Sequence, residues 1–258
     1  MAAGGHPPAL LRGTWRLYQP LRHARMKQRL RLPGLYARFW REWKAFNAAG
    51  GDAKFEELAP ILFDRDPSTQ TGGGQYFYQD VWGLRRLKAF GATEHHDIGS
   101  RYDGFVGQAT AICKVIGWDI RPPNFKLPSF EFRQGSILEL PLADGSVSSI
   151  SCLHVAEHIG LGRYGDPIDP AGTSKAIKEL ARVLAPGGQL LFSMPVGRER
   201  VCFNNQRVWD PTRPPREAEG LRLLEFSVVT DDDQFVEDVS PEAYRTAEYA
   251  CGLYRFTR

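Results

Sequence analysis

Between positions 154 and 166 the chain gathers His154, Glu157, His158, Arg163, Tyr164 and Asp166, interleaved with Gly160, Gly162 and Gly165. An unperturbed imidazole titrates near ~6.5, so it can take a proton from a weakly acidic nucleophile at neutral pH. Arginine and tyrosine orient polar or anionic ligands. His158 is the first candidate for a base, with Asp166 and His154 as alternates; Glu157, Arg163 and Tyr164 are candidates for holding the substrate. His154-x-x-Glu157-His158 also has the formal spacing of an inverted zinc-protease motif. That chemistry needs both histidines on one face of a sustained helix and a distant third ligand. Here the first histidine ends a β-type run and the glycines stop any helix within a turn, so no metal is expected.

A second constellation lies upstream. Asp97-Ile98-Gly99-Ser100 ends the first strand candidate, Glu94–Ile98, and Gly99 permits a tight turn and a close approach to a ligand. Asp97 offers a carboxylate to the ammonium of a zwitterion. Asp119 follows twenty residues after Gly99, the spacing at which an acid grips both ribose hydroxyls of a nucleoside. The stretch lacks the Lys-Ser/Thr of a phosphate loop and the three-glycine dinucleotide fingerprint. Downstream, Phe203-Asn204-Asn205-Gln206-Arg207 offers amides and a guanidinium, with Asn205 and Arg207 as substrate-binding candidates; a plain turn built on Asn-Asn explains the stretch equally well. Glu179 and Arg182, three apart, read as a structural pair on a helix.

These residues require strands ending at a common edge. Glu94–Ile98, Val115–Ile120, Phe130–Arg133, Val147–Val155, Gln189–Val196, Leu221–Thr230 and Tyr249–Thr257 have strand character, with helices predicted over Asp103–Cys113 and Thr173–Leu184, the latter closed by Pro186-Gly187-Gly188. Alternating strands and helices predict a parallel α/β sheet covered on both faces. The last two strands lack a convincing helix between them and predict an antiparallel closure. Gln79, Asp80 and Trp82, before the first strand, read as part of a packing helix.

The 258 residues carry 33 Lys and Arg against 30 Asp and Glu. Ten of those cations but a single acid, Glu42, fall within residues 1–50, so a basic arm of charge +9 precedes a body of −6. Leu35, Phe39, Trp43 and Phe46 form a helical stripe within Leu35–Ala48. Such a helix packs on the main body, or its Arg, Lys, Trp and Tyr residues meet a membrane surface; nucleic acid is not expected, since no nucleic-acid motif accompanies it. Thr69–Gly74 predicts a joint, dividing a basic, partly helical extension (1–70) from a main domain (71–258). Cys113, Cys152, Cys202 and Cys251 form no CxxC pair and read as reduced core residues. No run approaches the ~18 apolar residues of a membrane span, and a cytoplasmic chain is expected.

From about residue 94 onward the chain resembles class I S-adenosylmethionine-dependent methyltransferases. The resemblance rests on Leu140-Pro-Leu-Ala-Asp-Gly-Ser, on the strand ending in Glu157-His158, and on Glu179-Leu-Ala-Arg-Val-Leu-Ala-Pro-Gly-Gly188-Gln-Leu. The block Glu157–Asp169 looks like a bacterial subgroup, a domain of unknown function associated with surface-polysaccharide biosynthesis. The resemblance implies a Rossmann-like seven-stranded, mostly parallel sheet with an antiparallel last strand. It implies S-adenosylmethionine as cofactor: Asp97, Gly99 and Ser100 in the cofactor loop, Asp119 at the ribose, Gly135-Ser136-Ile137 at adenine, and His154–His158 beneath the sulfonium and beside the substrate. Three positions differ from the family pattern: Arg101 stands where a second glycine is usual, and Ser136 and Ser148 where acids are usual.

Two functions follow as expectations. One is an O-methyltransferase acting on a hydroxyl of a sugar or lipid-linked glycan, with the basic arm near the inner membrane face. The other is a non-catalytic module on the same fold, for which the three altered positions speak.

Overall fold

The computed structural model describes residues 30–62 and 73–258. The cations and aromatic residues predicted to form an arm before Leu30, and the joint over 69–72, lie outside the described residues. The chain divides into two compact units at Gly72 and Gly73.

In the first unit, helix α1 spans Leu32–Ala48, with Pro33 in its first turn, where a missing N–H costs nothing. Its apolar stripe is met by the segment that follows. Leu32 and Leu62 are buried together, with Leu35, Tyr36 and Phe39 against them. Trp43 Nε1 donates to the Ala53 carbonyl at 2.8 Å, and Asn47 Oδ1 accepts from the Ala53 N–H at 2.9 Å. Phe46, predicted to lie on the same stripe, remains exposed.

The second unit carries an eight-stranded sheet. Its strands are β1 (Glu94–Ile98), β2 (Lys114–Asp119), β3 (Phe130–Gln134), β4 (Val147–Leu153), β5 (Leu184–Val196), β8 (Arg222–Val229), β9 (Phe235–Val236) and β10 (Ala250–Thr257), in the order β3-β2-β1-β4-β5-β10-β8-β9. Strands β6 (Arg200–Cys202) and β7 (Gln206–Val208) form a separate hairpin. The first five strands of the sheet are parallel. β10 runs antiparallel between β5 and β8, as the sequence predicts, and β9 adds a two-residue eighth strand at the edge.

Strand order reverses between β1 and β4, so their carboxyl ends open a crevice between diverging connections, the place where open α/β sheets take ligands. Two layers cover the sheet. Helix α2 (Gln75–Phe90) packs Trp82 and Leu87 with Phe105, Leu153 and Leu253 on one face. Helix α3 (Gly172–Val183) packs Ala176, Ile177 and Leu180 with Ile150 and Phe192 on the other. Helix α2 is pinned to β8 by a half-buried carboxylate. Glu225 accepts from Trp82 Nε1 at 2.8 Å and from Arg86 at 3.0 and 2.7 Å. The predicted Glu179–Arg182 pair is a brace for the turn before β4: Glu179 accepts from Leu140 N, and Arg182 donates to the Leu140 and Leu142 carbonyls.

Two elements differ from expectation. The segment predicted as a helix over 103–113 is instead a wide turn, Tyr102–Val106, followed by a single turn of α-helix, Gly107–Ala109. Gly104 lies off helical geometry at φ −125, ψ −117, and a Cβ there would strike the Asp80 carboxylate of α2. Close approach between loop and helix therefore overrides helical hydrogen bonding. The Pro186-Gly187-Gly188 turn is absorbed into β5, which begins at Leu184 and pairs with Val147 across a register shift. Among the cysteines, Cys113, Cys152 and Cys251 are buried and free, whereas Cys202 is half-exposed on the hairpin.

Arg86→Ala would leave the half-buried Glu225 carboxylate without its cation. It should cost about 2 kcal/mol in denaturant unfolding, whereas Arg198→Ala, which removes a water-exposed ion pair with Glu248, should change the midpoint little. Equal effects of the two would refute the pinning role.

Candidate functional site

The crevice at the ends of β1, β2 and β4 holds two adjoining cavities. The first, of about 260 Å³, is a mostly apolar slot walled by Ile98, Gly99, Trp118, Asp119, Ser136 and Ile137, and by the loop from His154 to Pro167. The second, of about 600 Å³, is a polar chamber lined by Tyr76, Ser100, Arg101, Glu157, Arg163 and Tyr249 among others. Gly99, Asp119, Arg121, His154, His158 and Tyr164 face both.

Gly99 sits at φ 69, and a Cβ would stand 3.0 Å from Val155 Cγ1. Only glycine both adopts this turn and leaves the slot open. Asp119 ends β2 with its carboxylate on the slot. Oδ1 accepts the Arg121 N–H at 2.8 Å, while the exposed Arg121 guanidinium lies at 3.3 and 3.4 Å and stacks on Tyr164 at 4.6 Å. The backbone bond orients the carboxylate, and the long side-chain contacts leave it free to take other donors. Ser136 and Ile137 form the slot's far wall, where Ser136 Oγ accepts from Leu138 N.

Arg101 does not fill the slot. Its guanidinium turns to the chamber rim, pairs with Asp103 at 3.0 and 2.8 Å and stacks on Tyr76 at 4.8 Å. The altered glycine loop is therefore compatible with an open cavity.

Three sequence-predicted roles are corrected. Asp97 lines neither cavity. It is 1% exposed, and its carboxylate accepts from Ser100 N at 3.0 Å, Ser100 Oγ at 2.7 Å and Ser151 Oγ. It shapes the loop instead of meeting an ammonium; burial pushes it up to about 6 against the pull of those hydrogen bonds. Arg207 is 4% exposed and binds the carbonyls of Ile159 at 2.6 Å and Asp169 at 3.1 Å, as well as Thr173 Oγ1 at 3.2 Å. It ties the glycine-rich loop to α3 and has no guanidinium face for a substrate. Asp166 reaches the slot wall, but its carboxylate is spent on the Gly160 and Tyr164 N–H groups at 2.6 and 3.2 Å. Burial raises it and those N–H groups more than compensate, holding it below the usual range, so it fastens the loop and is a poor proton acceptor.

The remaining candidates converge on the chamber. His154 adopts φ 54, a left-handed conformation costly for a non-glycine residue, and is held there by its N–H bond to the Ser193 carbonyl at 3.1 Å. Its Nδ1 meets Gln79 Oε1 at 2.6 Å. A carbonyl oxygen only accepts, so Nδ1 carries the proton and Nε2 a lone pair. Burial, then the nearby His158, hold this imidazole at about 3. His158 has the same tautomer: Nδ1 donates to the Asn205 carbonyl at 2.6 Å, leaving the Nε2 lone pair unused. Burial lowers His158 too, opposed by that hydrogen bond and aided by Arg163. Arg163 is itself fixed by Asn205, at 2.7 Å to Oδ1. Glu157 is 0% exposed, neither of its oxygens has a hydrogen-bond partner, and burial pushes it up to about 8. Its Oε1 stands 3.7 Å from His158 Nε2. Among the described residues no group of three or more His, Cys, Asp or Glu side chains is arranged to hold a metal ion.

Tyr76, Arg121 and Tyr249 were not among the predicted site residues. Tyr76 and Tyr249 come from the start of α2 and the entry to β10, distant in sequence and without local motif. Only Arg121, two residues after Asp119, had a signal in its spacing.

This sheet order and cleft define a Rossmann-like methyltransferase fold. A family described as "Caenorhabditis protein of unknown function, DUF268" matches residues 144–241. No curated protein matches the sequence. Among solved structures, the chain is similar to one in a Haloferax volcanii complex of the Trm112 methyltransferase activator and its candidate methyltransferase. There the TM-score is 0.50 at 16% identity over 70% of this chain and 89% of that one. It is also similar to the [4+2]-cyclase SpnF, with TM-score 0.51 at 12% identity over 73% and 85%. The likeness is one of fold, and a fold can host more than one chemistry.

Burial pushes Glu157 up to about 8 in the folded chain, against an ordinary 4.5. The folded state therefore holds this proton more tightly, and its contribution to stability is complete below pH ~4.5 and lost as pH rises through ~8. Glu157→Gln should gain on the wild type across that window, by on the order of 3–5 kcal/mol above it. Parallel Tm–pH curves for the two proteins would refute the assignment.

Proposed function

We propose that this domain transfers a methyl group from S-adenosylmethionine to a hydroxyl of a sugar or glycan seated in the polar chamber. The observation that carries the reading is the Asp119 carboxylate on the wall of an apolar slot at the sheet's switch point, opposite Ser136 and Ile137. A carboxylate's two oxygens match a vicinal diol, and the slot's apolar walls suit a purine face. Gly99 provides the cradle that a Cβ would fill. When bound, the cofactor supplies a methyl carbon already activated by a sulfonium.

The chain's own task is then alignment and proton removal. His158 has its ring fixed by Asn205 and its Nε2 free at the chamber, and burial keeps it neutral through physiological pH. It accepts the hydroxyl proton as the oxygen becomes the nucleophile. Tyr164, edge-on to His158 at 5.6 Å, and Arg163 frame the acceptor.

The basic residues within 1–50 support a further part of this reading, in which the extension keeps the enzyme by an anionic membrane surface bearing lipid-linked glycan. Among the described residues, no helix is long and apolar enough to cross a membrane.

Calorimetry with S-adenosylhomocysteine tests the slot. Asp119→Ala should weaken binding at least about tenfold, and absence of heat with the wild type would leave a non-catalytic module as the reading. His158→Ala should lower turnover by about 10²–10⁴-fold while leaving that affinity within a factor of two or so. Because His158 sits below its usual 6.5, the acid limb of the rate profile should fall below that pH. Unchanged turnover in the variant would remove His158 from its role.

A further inference from the structure

Hydrogen-bonding demand in the polar chamber is lopsided. The cations at its rim are already partnered by oxygens of the chain: Arg101 by Asp103, Arg121 by Asp119, and Arg163 by Asn205. Its enclosed groups are not. Both oxygens of Glu157 and the Nε2 of His154 are buried without any partner. The His154 tautomer leaves Nε2 a pure acceptor, because Gln79 Oε1 takes the Nδ1 proton and also accepts from Ser193 Oγ at 2.6 Å. His154 Nε2 and the carbonyl oxygen of Glu157 therefore lack a donor, and a donor that also carries positive charge would draw the proton off the carboxyl. A buried carboxyl left unpaired is costly unless a ligand supplies the partner.

A lone hydroxyl offers one hydrogen, and His158 Nε2 takes it in the reading above. A primary ammonium offers three in a compact head. Tyr249 lines the same chamber, and an aromatic face favours such a cation; the Tyr76 ring already carries the Arg101 guanidinium.

We propose that the acceptor carries a protonated primary amine beside its reacting hydroxyl, as an amino sugar does, and that this ammonium docks on Glu157 and His154 Nε2. This names the acceptor class within the methyl-transfer reading and rests on that reading only for the role of the hydroxyl. Burial pushes the Glu157 carboxyl up to about 8 in spite of the nearby Arg163, so it is neutral at pH 6.5 before a ligand cation docks. On docking, its O–H bond breaks, the carboxylate pairs with the ammonium, and the proton leaves to solvent. The other titratable groups facing Glu157 are His158, Arg163, Tyr76, Tyr249, Cys152 and Cys251. None of them supplies a hydrogen bond to its oxygens.

The test is calorimetry on the full chain with glucosamine and glucose at about pH 6.5, where the amine is protonated, with and without S-adenosylhomocysteine. Two buffers of different ionisation enthalpy report proton release. Glucosamine should bind at least about tenfold more tightly than glucose and release close to one proton per molecule. Glu157→Gln should lose both the preference and the release while keeping its affinity for S-adenosylhomocysteine. Equal binding of the two sugars, or binding of neither, would overturn the proposal. Proton release on S-adenosylhomocysteine or S-adenosylmethionine alone would also overturn it, assigning the carboxyl to the cofactor's own amine or sulfonium. Proton-linked glucosamine binding without affinity for S-adenosylhomocysteine would keep the cation site and remove the methyl-transfer reading.

Discussion

A single buried carboxylate, Asp97, organises the cleft. At neutral pH it can only accept, and every hydrogen in its surroundings points toward it. Ser151 gives its hydroxyl proton to Asp97, so it must accept from His95 Nε2 at 2.9 Å. His95 Nδ1 is then the acceptor of Ser149 Oγ at 2.8 Å, and Ser149 in turn accepts from Gln189 Nε2 at 3.2 Å. A one-way relay thus runs from β5 through β4 and β1 to the carboxylate. On the other side Ser100 gives both its N–H and its O–H to Asp97 and receives Leu153 N at 3.1 Å. The relay explains why a central strand carries His95 and Asp97 where parallel sheets usually place aliphatic residues. Burying a charge is unfavourable, and three donors offset much of that cost. The same donors fix β1 against β4 and set the Gly99 turn between them.

From that junction the cleft acquires two characters. Toward β2 and β3 the walls are Trp118, Ile137 and Leu138, apolar and shaped by strand ends. Toward α2 and the hairpin the walls are ionisable, and most of them arrive on loops held from behind. Arg207 and Asp166 are the anchors of the glycine-rich loop: one collects carbonyls from beneath it, the other collects its N–H groups. A Cβ on Gly160 would strike the Asp169 carbonyl, so the loop closes on itself with little slack. His154 and His158 therefore border the cavity on rigid supports. Rigidity of this kind suits groups whose value lies in orientation.

The polar inventory also separates groups that build from groups that bind. Asp97, Asp166 and Arg207 have complete sets of partners within the chain. Glu157 and His154 Nε2 do not, although they are no less buried. Full satisfaction suits a scaffold, whereas the unmet groups of Glu157 and His154 border the chamber, where a ligand can complete the set.

Much of this was legible in the residue order. Strand positions followed from β-branched runs, α3 from its apolar spacing, and the cleft's location from the parallel alternation that forces a switch point. Gly99, Asp119, Ser136, Ile137, His154, His158 and Tyr164 were singled out from local spacing and the family resemblance, and all of them line the two cavities, because each lies at or shortly after a strand end. Local order could not reveal which polar residues had been claimed by distant ones. Asp97 belongs to Ser151, Arg207 to the carbonyls of Ile159 and Asp169, and Gln79 to His154, seventy-five residues away. Tyr76 and Tyr249 reach the chamber only because α2 is pinned on β8 and β10 inserts beside β5. Sequence determined the elements and the type of cleft, since periodicity and strand-end spacing are short-range properties. Tertiary structure decided which donors and acceptors remain free, because hydrogen-bond satisfaction is settled by contacts across the fold.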